Sequence, residues 1–147
     1  MPLSPAKYAK IHALGDAAEL EAAAFFRRHG CYVLTSWTLN PYDFAIDTGD
    51  QLLRVEVKST TTRGHVERGG KEWGWTVAVD CSKPFDLLYV HTPDMHFVIP
   101  RTELGTSRRG VTVPSAADVN NGSDSKWLHF ESTTWRSHEG AVTTSAS

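Results

Sequence analysis

Apolar and polar positions change rhythm several times along the chain, and each change marks an element. Between Lys7 and His29, Leu14, Ala18, Ala22 and Phe25 recur at three- and four-residue steps, with Ala17 and Phe26 widening the stripe. That period predicts an amphipathic helix with one face on a core. Gly30 follows as its C-terminal stop. Cys31 to Trp37 is rich in β-branched and aromatic residues, which predicts a first strand broken by Asn40-Pro41. Phe44 to Asp47 and Leu52 to Lys58 are short strands, and the turn residues Thr48 to Gln51 between them predict a hairpin.

The stretch Thr60 to Lys71 is polar and reads as a mobile surface loop. Trp73, Trp75, Val77 and Val79 then alternate with Gly74, Thr76 and Ala78, which is strand periodicity. Asp86 to His91 and His96 to Ile99 flank Thr92-Pro-Asp-Met95 and predict a second hairpin, with a short helix after Pro100. Gly105 to Ser125 is polar and turn-rich, and Lys126 to Phe130 forms a last ordered piece. The expectation is an α/β (α+β) domain over residues 1–136, an N-terminal helix packed on one central mixed sheet. Residues 137–147 have little to bury and are expected to be a disordered tail.

Composition narrows the function classes. The chain has 147 residues, 40% apolar and 22% charged, with a net charge of -2. No run approaches the roughly 20 apolar residues of a membrane span, and no apolar signal core follows the first lysines. A soluble, intracellular (cytoplasmic) protein without membrane association is expected. Cys31 and Cys81 stand fifty positions apart without a CxxC partner, so both read as buried free thiols and not as metal ligands. The histidines form no HExxH pair, which argues against a zinc hydrolase. A pI near 6.4 means that any nucleic acid must be held by local basic clusters.

Candidate chemistry concentrates in Pro41 to Ser59. Strand alternation puts Leu53, Val55 and Val57 on one face and Arg54, Glu56 and Lys58 on the other. Glu56 and Lys58 then sit about 7 Å apart on one side. If Asp43 opens the antiparallel neighbour, its carboxylate approaches Glu56. Two carboxylates beside a lysine form a magnesium site of oxygen ligands, or a cross-strand salt bridge on a solvated face. Asp86 reads as a capping or hydrogen-bonding residue at the start of its strand. Trp73 and Trp75 share a face and read as core packing.

Asp43, followed thirteen positions later by Glu56-Val57-Lys58 at the end of an apolar strand, resembles the PD-(D/E)XK nuclease motif. Gly15-Asp-Ala-Ala-Glu19 on the helix, Gly30-Cys-Tyr-Val33 and Tyr42-Asp43-Phe44 are similar to the opening of small members of that superfamily. These include archaeal-type Holliday junction resolvases and group I intron homing endonucleases. The resemblance spans residues 10–104, with Lys126 to Arg136 as a closing segment. One departure is that Tyr42 separates Pro41 from Asp43, where the family name has proline and aspartate adjacent.

The resemblance implies a restriction-endonuclease-like core and specific roles. Asp43 and Glu56, with the Val57 carbonyl, would ligate Mg2+, for which Mn2+ would substitute. Lys58 would orient the attacking water and screen charge on the phosphate. Glu19 would support the metal or bind a second one, against the plainer reading of a surface carboxylate. Arg63, Arg68, Lys71, Arg108 and Arg109 are the available phosphate contacts, or solvated loop charges. The expected activity is a DNA endonuclease, first a Holliday junction or branched-DNA resolvase because the chain is short, with a homing-type endonuclease as the alternative. Either would act as a homodimer. A non-catalytic DNA- or protein-binding module on the same fold is the reading from another class.

Overall fold

The computed structural model describes residues 5–35, 42–65 and 72–137. Helix α1 spans Pro5–Arg28 and ends as the sequence predicts. Cys31 N–H donates to Phe26 O and Gly30 N–H to Arg27 O, a Schellman closure that needs the left-handed Gly30, φ 83°. Ala18, Ala22, Phe25 and Phe26 are buried on its inner face. Leu14 and Ala17, expected in the stripe, are exposed instead. The buried strip of α1 is narrower, limited among the described residues to Ala18, Ala22, Phe25 and Phe26.

Among the described residues eight strands follow: β1 Tyr32–Leu34, β2 Phe44–Asp47, β3 Leu52–Ser59, β4 Arg63–His65, β5 Glu72–Ala78, β6 Leu87–His91, β7 His96–Pro100 and β8 Gly110–Val113. They make two sheets, not the single one expected. The larger is mixed, ordered β1-β2-β3-β6-β7, and the smaller is β4-β5-β8. β3 and β6 pair in parallel, and the remaining pairs are antiparallel. The chain therefore leaves β3, builds the β4–β5 hairpin, and returns beside β3.

This gives three layers. α1 covers one face of the large sheet through Phe25, Phe26, Phe44, Val55, Leu87 and Tyr89. The small sheet covers part of the other face, where Leu88, Val90, Phe97 and Ile99 meet Val77, Val111, Val113 and Trp127. Leu87 to Val90 and Phe97 to Pro100 are buried throughout, which explains why these strands read as continuous apolar runs.

Two segments differ from expectation. Part of the stretch expected as a loop pairs as β4, where Gly64 lies so close to Trp73 O that a Cβ would come within 2.6 Å. The stretch Gly105 to Ser125 holds β8 and a short helix α2, Ala116–Asn120, closed by a capping box between Ser115 and Asp118. Lys126–Phe130 is a 3-10 turn that buries Trp127, and Arg101–Glu103 is another, where a short helix was expected. Cys31 and Cys81 are buried and free. Among the described residues, no helix is long and apolar enough to cross a membrane. Asn40-Pro41, most of the expected tail, and Ser36 and Trp37 at the end of the expected first strand lie outside the described residues.

Candidate active site

β3 is the middle strand of the large sheet, and its alternation sets the site. Leu53, Val55 and Val57 pack toward α1, so Arg54, Glu56 and Lys58 project from the opposite face. In the main chain, Asp43 N–H donates to Val55 O, and the Phe44–Val55 pairing fixes the register. Val57 points its backbone groups to the same side as Val55, just past the end of β2. Its N–H is taken by the Asp43 carboxylate, Oδ2 at 2.6 Å. Asp43 thus stands where the strand pair ends, tied to β3 and beside Glu56.

Glu56 is buried, at 6% exposure, between Val55 and Val57 along β3. Its Oε2 is buried and accepts no hydrogen bond. Burial first, then the neighbouring Asp43, pushes its carboxyl up to about 7, against the opposing pull of Lys58 and Lys83. An ionised carboxylate with a dry, unpartnered oxygen is costly unless a cation meets it. The donor beside it is the Asp43 carboxylate, which makes the pair an oxygen-only set. These residues fit a hard divalent cation.

Lys58 lies at the half-buried end of β3, within electrostatic reach of Glu56 and Asp80. Glu19 comes from α1. Burial first, then Asp43 and Asp16, pushes its carboxyl up, so it faces the same acidic cluster. It borders a depression of about 420 Å3 shared with Asp16, Leu20, Ala23 and Phe44. Glu19 does not close on Asp43 and Glu56 as a third ligand. Among the described residues, the group that brings three ligand atoms within 4.8 Å of one another is Glu21, His91 and His96.

Asp86 takes the structural role expected. Its Oδ2 accepts from Arg54 N at 2.7 Å and Arg54 Nε at 3.0 Å, and its Oδ1 accepts from Arg54 Nη2 at 3.0 Å. The basic candidates are partly engaged. Arg63 stacks over Trp75 at 4.7 Å and pairs with Glu72 at 3.8 Å. Arg108 lies over Trp127 and donates to Leu104 O at 3.1 Å. Arg109 is exposed, and Arg68 and Lys71 lie outside the described residues.

Sequence reasoning missed two features. Lys83, in the segment before β6, adds a second positive charge near Glu56. Its signal was the parallel return, which brings that segment back beside β3. The other is the histidine cluster. His91 and His96 are register partners across the β6–β7 turn, a pairing that their spacing around Thr92-Pro-Asp-Met95 already implied.

No family model matches the sequence, and no curated protein does. In three dimensions the chain is similar to a bacterial homing endonuclease, I-Ssp6803I. The TM-score is 0.61 at 16% identity, covering 83% of this chain and 88% of that one. The two share a fold, in which the N-terminal helix packs on a central mixed sheet.

Proposed function

We propose that the chain is a metal-dependent DNA endonuclease of the PD-(D/E)XK type that hydrolyses phosphodiester bonds. The observation that carries this reading is Glu56, a buried carboxylate with an unpartnered oxygen, held beside Asp43 on the strand that also presents Lys58. A plain cross-strand salt bridge would leave Glu56 satisfied by Lys58, and Oε2 has no partner.

In this reading Asp43, Glu56 and the Val57 carbonyl hold Mg2+, with Mn2+ as a substitute. Bound there, the ion would supply an acidified water and stabilise charge on the phosphate. Lys58 would orient the attacking water toward the phosphorus and screen the negative charge that develops there. Glu19 positions the cluster from the helix side. Arg63, Arg68, Lys71, Arg108 and Arg109 contact the DNA backbone, which fixes register without reading sequence.

Between the two substrate readings, the site-specific, homing-type one is now favoured over a Holliday junction resolvase. The case for a resolvase rested on the chain being short. A homing endonuclease of the same fold aligns over 88% of its own length, so shortness no longer separates the two. Residues 1–136 then act as one nuclease domain, and two chains cut the two strands as a homodimer.

The test is cleavage by purified protein in Mg2+ and in Mn2+, on a randomised duplex library beside four-way junctions and flaps. Cutting at one recurring duplex sequence is the expected result, abolished in Glu56→Gln and Lys58→Ala. Symmetric nicks confined to junctions would restore the resolvase reading. Wild-type cleavage by either variant would overturn the site.

A further inference from the structure

We propose that Glu21, His91 and His96 form a second metal site, on the other flank of α1, that binds a first-row transition dication of the Zn2+ class. It uses none of the residues of the nuclease reading and does not depend on it. Three elements supply one ligand each: α1, β6 and β7. The β6–β7 register sets His91 opposite His96, with rings stacked at 4.4 Å and 29°. Glu21 Oε2 meets both, 2.5 Å from His91 Nε2 and 4.0 Å from His96 Nε2.

Zinc bonds of roughly 2.0–2.2 Å in a tetrahedral site place neighbouring ligand atoms about 3.3–3.5 Å apart. The two distances bracket that value, so each ligand atom need move by less than about 1 Å. His96 is already oriented for the task. Its Nδ1 lies 3.0 Å from Tyr89 Oη, and with Nδ1–H donating there, Nε2 is left as the ligand facing Glu21. The side chains are 26%, 31% and 55% exposed for His91, His96 and Glu21, so an ion and one or two waters have access.

Two imidazoles and a carboxylate distinguish this site chemically from the oxygen-only cluster at Glu56. Imidazole suits zinc, copper, nickel and iron, whereas Mg2+ prefers oxygen and water. An ordinary His91–Glu21 ion pair would account for one histidine. It gives no role to the second, held by Tyr89 with its free nitrogen toward the same carboxylate. Glu19 and Glu21 are two positions apart, which puts them on opposing sides of the helix. A metal at Glu21 would pin α1 to the β6–β7 hairpin.

The experiment titrates the full chain with Co2+ alone, read by its visible absorption, followed by displacement with Zn2+. One equivalent with an intense low-coordinate band is expected, unchanged in Glu56→Gln. His96→Ala should abolish the band, and Glu21→Ala, at an exposed position, should weaken binding at least about tenfold. Zn2+ should also raise the melting temperature of the wild type by several degrees and leave that of His96→Ala unmoved. Absence of Co2+ binding at roughly 100 μM, or a band that persists in both variants, would overturn the proposal.

Discussion

Glu56 and Asp86 are two carboxylates that border the same strand, and their surroundings have been built in opposite ways. Asp86 receives three hydrogen bonds from Arg54, two from the guanidinium and one from the backbone. Burial works against its ionised form, yet these bonds outweigh it and hold its carboxyl below the usual range. Glu56, two residues along from Arg54, is more buried and has an oxygen with no partner, and its carboxyl is pushed up to about 7. A carboxylate that only ties strands together is satisfied within the protein. On the function proposed above, one with a buried oxygen left unpartnered is where a cation from outside would bind.

That contrast predicts different failures. Glu56→Gln and Lys58→Ala should each lower cleavage by about 10^3-fold or more, with circular dichroism unchanged. Asp86→Ala should do the reverse, retaining most cleavage while lowering unfolding free energy by about 1–2 kcal/mol in urea titration. A large loss of activity with unchanged stability in that variant would erase the distinction.

The pH dependence sharpens the comparison further. The Glu56 carboxyl is held above its ordinary value, so ionising it costs stability that protonation restores. In the metal-free protein the stability that protonated Glu56 preserves is fully present below the usual carboxylate range and is lost, with a few degrees of melting temperature, as pH rises through about 7. Glu56→Gln should flatten that slope, and added Mg2+ should oppose it. Asp86 contributes with the other sign, because its stabilisation fades only as pH falls through its depressed value. The smallest effect is expected at Glu19, which faces Asp43 without closing on the pair. Glu19→Gln should cost about tenfold in cleavage, near 1.4 kcal/mol, measured at saturating Mg2+.

Much of this arrangement was legible because it is local. Val55 and Val57 alternating with Glu56 and Lys58 fixed which residues share a face, and the Thr48 to Gln51 turn fixed the pairing that brings Asp43 to Glu56. Asp86 was readable as structural because it opens an apolar strand. What stayed hidden depends on distant partners. Gly64 looks like a loop residue until Trp73 and Thr112 are seen packed against it. β8 is a short polar-flanked run whose burial against β5 is set thirty-odd residues away. Lys83 and the Glu21–His91 contact likewise require the parallel return beside β3 and the placement of α1.

The parallel pairing also sets the order in which the molecule can assemble. Asp43, Glu56 and Lys58 all lie within one hairpin, which forms by short-range closure. The neighbour that encloses Glu56 on its other edge is β6, joined to β3 through contacts 32 residues apart in sequence. Closing a loop of that size is slower than closing a hairpin turn. A nascent chain therefore carries every acidic and basic group of the cluster well before it can bury one of them. Burial of Glu56 therefore waits on the docking of β6, the slower of the two closures.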